Sequence, residues 1–442
     1  MGRKIIITVL STFPKEYKTR SEKKQEAVQG KPITYQCDNG DTITAEWTNE
    51  AGLKYLLGRN AGYTDIICLR SKETSNEKYE NELKAIIEEM NITYKDKIKY
   101  VDYLVDDDVN TISGKLTKKF EFDSSDTVYI DTTGGARTVA YYLVYLFRYF
   151  EYIGVTVKSA VYSQVNRTDD GKITGDGTIK EVRDNFRMFD LINGAHEFTS
   201  TGNPKTLANY FAGSKNENIN SLLKAMEKFY DQISLCRIGD ELDNALKEME
   251  ECLRAIENNP QSDNDEFRMK EMIPIIRNKF FSSRRSKYLG LTKWCVNNGL
   301  LQQALTLYVE KLPKAYFTEL NFLYVDADKL EKPKNQGQDI YSDYFMNIVT
   351  GVMYGKVSIT CRISKRDLRK LCFDYSYMKT VRNYVNHASE KNFKDPKEKH
   401  RKILAQENPK LYVFPDGNNF SARDINVFIN QSIDFIDKVC SR

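Results

Sequence analysis

Histidine is scarce: the 442 residues contain only His196, His387 and His400, and they fall in no metal-ligand spacing. Eight cysteines (Cys37, Cys68, Cys236, Cys252, Cys295, Cys361, Cys372 and Cys440) form no C-x-x-C pair, which argues against both a zinc site and a disulfide frame and fits reduced thiols, mostly in the core. No apolar run approaches the roughly 18 residues that a membrane span needs. The stretch Ile5–Leu10 behind Arg3 and Lys4 is too short for a signal peptide, so a cytoplasmic protein is expected. Neither G-x-G-x-x-G nor G-x-x-x-x-G-K-[ST] occurs, which removes the main support for a nicotinamide enzyme or a P-loop NTPase.

What is present suits a folded protein of more than one domain, with 40% hydrophobic and 29% charged residues. The net charge of +4 is unevenly spread. Residues 1–190 carry 28 basic against 30 acidic side chains, whereas 361–410 carry 14 against 6. Such a basic strip is usually a solvated face, and it is also how a nucleic-acid backbone is attracted.

Periodicity divides the chain. Lys4–Leu10, Thr64–Leu69, Ile98–Leu104, Thr127–Asp131 and Val155–Val161 read as strands, with helices over Asn76–Met90 and Ala136–Tyr152. This is the rhythm of an α/β domain with a mostly parallel, Rossmann-like sheet. The helix from Ala136 is apolar almost all round and is expected to be buried on every side. Ile33–Cys37 and Thr42–Trp47 flank Asp38-Asn39-Gly40 and read as a hairpin. Beyond about residue 185 the pattern is all-α, with helices over Ile219–Cys236, Glu241–Ile256, Leu289–Lys311 and Ser421–Val439. Asn193-Gly194 and Thr201-Gly202-Asn203-Pro204 mark the boundary, Asn258–Glu266 a second break, and Glu331–Gln338 an exposed loop.

In the first half, Asp131-Thr132-Thr133-Gly134-Gly135-Ala136-Arg137 joins a strand to the apolar helix. Ligands of open α/β sheets bind at such strand ends, where glycines permit close approach and helix N-terminal N–H groups favour anions. The two hydroxyls and Arg137 equip the turn for a phosphate or ribose-phosphate. The same residues also make a plain strand-to-helix turn capped by Thr133. Ser11-Thr12-Phe13 should lie at the same sheet edge, with Gln164 and Asn166 as further polar candidates or loop caps.

In the second half, Val381-Arg382-Asn383-Tyr384-Val385-Asn386-His387 is helical. At about 100° per residue, Arg382, Asn386, Asn383 and His387 fall within an arc of roughly 140°, with no carboxylate among them. A guanidinium can stabilise charge developing on a phosphate, and an imidazole can move the proton of a 2′-hydroxyl or leaving oxygen. The arc therefore suits metal-independent RNA cleavage; it also suits ordinary helix packing with satisfied amides. One imidazole is one proton-transfer group, so the cleavage reading asks for a second copy in a symmetric dimer.

The Asp131–Arg137 turn followed, in a helical half, by Arg-x-x-x-x-His at Arg382–His387 resembles the CARF–HEPN ribonucleases that accompany type III CRISPR systems. The likeness also takes in Ser11-Thr12-Phe13 and the segment Trp294–Glu310. It implies a CARF domain over 1–190, a helical connector over 191–285 and a HEPN domain over 286–442. It implies a homodimer whose CARF half binds a cyclic oligoadenylate activator through Ser11, Thr12, Phe13, Thr132, Thr133, Gly134, Gly135 and Arg137. It further implies an endoribonuclease cutting single-stranded RNA at Arg382 and His387, with Asn383 beside them and no metal cofactor. Some relatives also degrade their activator in the CARF pocket. Two other readings remain at this stage: a nucleotide-sensing module without nuclease activity, and a HEPN toxin with a different trigger.

Overall fold

The first strand, β1 (Lys4–Val9), is all β-branched after its lysine and buried along its length, so it belongs at the centre of a sheet covered on both faces. In the computed structural model of the chain, that is where it lies. The structure describes residues 2–13, 17–26, 31–59, 62–90, 97–104, 107–135, 137–168, 173–281, 285–324, 340–353, 361–387 and 421–441. These fall into two compact units, Met1–Phe189 and Asp190–Arg442.

The first unit contains, in chain order, β1, α1 (Arg20–Glu26), β2 (Ile33–Cys37), β3 (Thr42–Ala45), α2 (Thr48–Arg59), β4 (Asp65–Arg70), α3 (Glu77–Glu89), β5 (Ile98–Asp102), α4 (Val109–Lys119), β6 (Thr127–Asp131), α5 (Arg137–Tyr152), β7 (Thr156–Arg167) and β8 (Ile173–Glu181). The eight strands lie in the order β3-β2-β8-β7-β6-β1-β4-β5. From β7 to β5 every neighbour is parallel, as short βα repeats of right-handed connection require. The strand order reverses between β1 and β6. Alternation along β1 sends Ile6 and Leu10 into a core with residues of α2 and α3, and Ile5, Ile7 and Val9 into a core with residues of α4 and α5. Each such buried side chain contributes about 1.5–3 kcal/mol relative to exposure.

The hairpin forms around Gly40, whose φ of +86° suits a residue without a Cβ, and β2 adds parallel to β8 at the far side of the sheet. Two expectations fail in this unit. Helix α5 is not buried all round, because Tyr141 is 73% and Tyr152 88% exposed on one side. Its opposite side packs Val139, Tyr142, Leu143, Leu146 and Phe150, so tyrosine rather than aliphatic content makes it look uniformly apolar. Strand β7 does not stop at Val161; antiparallel pairing with β8 carries it on to Arg167.

The second unit is helical. It continues from α6 (Arg183–Thr201) through α7 (Lys205–Tyr210), α8 (Glu217–Ser234), α9 (Asp240–Asn258), α10 (Asn264–Phe280), α11 (Lys287–Asn297), α12 (Leu301–Glu310), α13 (Leu312–Phe317), α14 (Ile340–Met353), α15 (Lys365–His387) and α16 (Ala422–Cys440). Phe198, Phe229, Phe280 and Trp294 cluster in its core, and the Trp294 indole N–H donates to the Thr199 carbonyl at 2.6 Å.

Asn193-Gly194 does not interrupt the chain. It lies inside α6, where a Cβ on Gly194 would sit 2.8 Å from the Leu207 nitrogen, so this glycine admits α7. The single helix expected over Leu289–Lys311, including Trp294–Glu310, is two. Gly299, at φ +73°, turns the chain left-handed, and the Leu300 N–H closes back onto the Cys295 carbonyl as in a helix C-cap. The loop Glu331–Gln338 lies outside the described residues. Among the described residues no helix is long and apolar enough to cross a membrane.

Candidate functional site

At the carboxyl edge of the sheet, the turn after β1 and the turn after β6 meet, because those strands pair directly with Thr8 opposite Asp131. Gly134 makes the meeting possible: a Cβ there would lie 1.7 Å from the Val9 carbonyl oxygen. Gly135 adopts φ +95° and a Cβ on it would press on the Val9 side chain at 2.5 Å. Both glycines are thus required by strand-to-turn packing, independently of any ligand.

The hydroxyls of these turns are largely committed to the protein. Ser11 Oγ donates to Asn49 Oδ1 at 2.7 Å and accepts the Trp47 indole N–H at 3.0 Å. Thr132 Oγ1 donates to the Val161 carbonyl at 2.9 Å. Thr133 Oγ1 accepts the Ser163 N–H at 2.9 Å, and the same hydroxyl bonds the Asp131 carboxylate. Thr133 does not cap α5, which begins at Arg137. Phe13 is sandwiched rather than open, stacked on Tyr79 at 4.0 Å and on Tyr17 at 4.6 Å. Thr12 and Gly135 are the exposed residues of the two turns.

Beneath them lies a group that the sequence reading passed over. Asp131 is fully buried and accepts from Thr8 Oγ1 at 2.8 Å, Asn49 Nδ2 at 2.9 Å and the Thr133 N–H at 3.1 Å. Burial pushes its carboxyl above the ordinary range, against the pull of those donors and of the Thr133 hydroxyl. Asp131 opens the quoted turn motif, but its partner Asn49 comes from α2, where no motif marks it. Arg137 opens α5 at this edge, and its side chain lies outside the described ones. Asn166 is not at the edge: it sits five residues beyond Val161 along β7, roughly 16 Å further on, and donates to Asp176 at 2.7 Å. Gln164 likewise belongs to the β7–β8 ladder, opposite Thr178.

In the helical unit, α15 is anchored by a buried polar network. Lys370 and Ser432 both donate to Asp374 Oδ2, at 2.7 and 2.8 Å, and Ser432 shares a 2.6 Å hydrogen bond with Tyr308 of α12. Met378 and Val381 are buried as the arc geometry requires, and Asn383 is exposed. Arg382 differs from expectation. It is half-buried, and its Nη2 lies 2.5 Å from Glu310 Oε1 at the end of α12. The carboxylate missing from the Arg382–His387 arc is supplied by another helix. Arg382 Nε is enclosed and makes no hydrogen bond to a described residue. His387 closes α15; its side chain and that of Asn386 lie outside the described ones, as does the basic strip from residue 388 to 410 with His400. His196 is exposed on α6.

These features define an α/β unit of Rossmann-like topology, with two turns converging where the strand order reverses, joined to a helical unit. No protein-family model matches the chain, and no curated protein matches it. Among solved structures, the chain is similar to Enterococcus italicus Csm6 bound to cyclic hexa-2′-fluoro-hexa-dAMP, at 9% identity and a TM-score of 0.38, over 99% of this chain and 94% of that one. The fold is defined by the sheet order and the helices described above.

Proposed function

We propose that the chain is a CARF–HEPN endoribonuclease of the kind that accompanies type III CRISPR systems, switched on by a cyclic oligoadenylate. The observation that carries the reading is the convergence of the β1 and β6 turns at the switch point of the sheet. A ligand meets exposed Thr12 and Gly135 there, and the start of α5 with Arg137. Phosphates of the ring would take the N–H and guanidinium donors.

Cleavage is assigned to the helical unit. Arg382 stabilises negative charge on the scissile phosphate, His387 moves the proton of the 2′-hydroxyl or the leaving oxygen, and Asn383 donates beside them. Two chains contribute one imidazole each to a composite site in a homodimer, and the reaction needs no metal. In the domain assignment, 1–190 senses the ring, 191–285 connects and 286–442 cuts.

The test is direct. Purified protein is incubated with a fluorescent single-stranded RNA and rings of four or six adenylates, with and without a chelator. Chelator-resistant cleavage that appears only with a ring supports the reading. RNA left intact while a ring binds measurably would make the chain a sensing module, and cleavage indifferent to every ring would make it a nuclease with another trigger.

A further inference from the structure

The hairpin β2–β3 and helix α2 carry no motif, yet they deliver three near-consecutive side chains to the segment that follows β1. Trp47 donates its indole N–H to Ser11 Oγ. Asn49, wholly buried, accepts both the Ser11 N–H and its hydroxyl on Oδ1, at 2.8 and 2.7 Å. Its Nδ2 reaches Val9 O and Asp131 Oδ2 at 2.9 Å each, and Thr8 Oγ1 at 3.3 Å. Glu50, also buried, holds Arg20 at 2.7 Å, and the same guanidinium binds Glu82 and Glu89 of α3. The segment Ser11–Phe13 is therefore pinned by Asn49, and helix α1 by the ion pairs of Arg20.

Asn49 touches both strand ends that form the candidate ligand edge. Through one amide it fixes Ser11 relative to Asp131, and Asp131 in turn fixes the Thr133 N–H. An amide is suited to this because it accepts on one atom and donates on the other, whereas a carboxylate there would face Asp131 as a like charge. We infer that Asn49 is a positioning residue of the ring-binding site, setting the spacing between the Ser11–Phe13 and Thr132–Gly135 turns, and that the hairpin–α2 segment exists in this fold to place it. This rests on the ring-sensing role proposed above.

The experiment compares full-length wild type, Asn49→Ala and Trp47→Phe for binding of cyclic tetra- and hexa-adenylate, for ring concentration at half-maximal RNA cleavage, and for hydrogen exchange across Leu10–Phe13. Truncating Asn49 leaves the Ser11 N–H and Asp131 without a shared partner, so ring affinity should fall about ten- to a hundredfold. The half-activating concentration should rise by a larger factor than the saturated rate falls, and exchange at Ser11 should quicken. Trp47→Phe keeps a ring and removes only the indole donor, so it should weaken binding about three- to tenfold, and it serves alone if Asn49→Ala does not fold. Wild-type ring affinity in the folded variants would overturn the positioning role. A wild type that binds neither ring would overturn the ring-sensing reading and this role with it.

Discussion

Arg382 of α15 and Glu310 of α12 form a 2.5 Å ion pair that joins the Arg-x-x-x-x-His helix to its neighbour. The pair occupies Nη2 and Nε is enclosed, so a phosphate bound here would have to meet Nη1. It also lowers the positive charge that an RNA would meet at this point. Glu310→Gln keeps an acceptor and removes the charge, so RNA affinity at low salt should rise about three- to tenfold and depend more steeply on salt. Glu310→Ala releases Arg382, and the cleavage rate should fall about ten- to a hundredfold with ring affinity unchanged. Stopped-flow cleavage and a salt titration of RNA binding check both, and a faster Glu310→Ala enzyme would make the pair inhibitory instead.

His387→Ala and Arg382→Ala should each remove most RNA cleavage while ring binding persists. Arg382→Ala also strands a half-exposed carboxylate, so a small loss of thermal stability should accompany it and not His387→Ala. Near wild-type turnover in either variant, or loss of wild-type cleavage on chelation, would contradict the assignment.

Thr133→Ala and Thr133→Ser separate structure from sensing. The alanine leaves the Ser163 N–H unpaired, costing about 1–3 kcal/mol, and removes the hydroxyl that bonds Asp131 beside the ring site, whereas serine restores both. Thr133→Ala and Arg137→Ala should raise the ring concentration needed for activation with little loss at saturation, and Thr133→Ser should behave as wild type. A lower saturated rate with an unchanged activation midpoint would move the turn from sensing to catalysis.

Asp131 gives the pH prediction. Its carboxyl is raised by burial, so the native state holds the proton more tightly than the unfolded chain does. Stability from this group is therefore greatest below the ordinary carboxylate value and is lost as pH rises through the raised one. Asp131→Asn removes that step, and the stability difference should move in favour of the variant over the pH window that opens above the ordinary carboxylate value, about 4. The buried Cys68 thiol, raised by its own burial and by Asp131 among others, stays protonated across this window. Thermal melts at a series of pH values read the slope; a difference that moves toward wild type with rising pH would mean that the hydrogen-bond donors outweigh burial.

Legibility from sequence followed the range of the interactions. The β-branched runs, the Asp38-Asn39-Gly40 turn and the Asp131–Arg137 motif were readable because their causes are local. The inward bonds of Ser11, Thr132 and Thr133 were not, since their partners Asn49, Val161 and Ser163 lie about 30 to 40 residues away. Gly134 looked like a phosphate-approach glycine until the Val9 carbonyl appeared beside it. Glu310 was invisible to an argument confined to one helix. The break at Gly299 could have been anticipated from Asn298-Gly299 alone, a C-cap signal overridden by the apolar periodicity on either side.

The central claim is that a ring-activated pair of chains shares one RNA-cutting site. Wild-type subunits are mixed and exchanged with His387→Ala subunits, and cleavage of a fluorescent RNA is followed at saturating ring. A composite site predicts that an equal mixture retains roughly a quarter of wild-type activity, because only dimers with two imidazoles cut. Activity that falls in strict proportion to the wild-type fraction, from subunits shown to have exchanged, would contradict it.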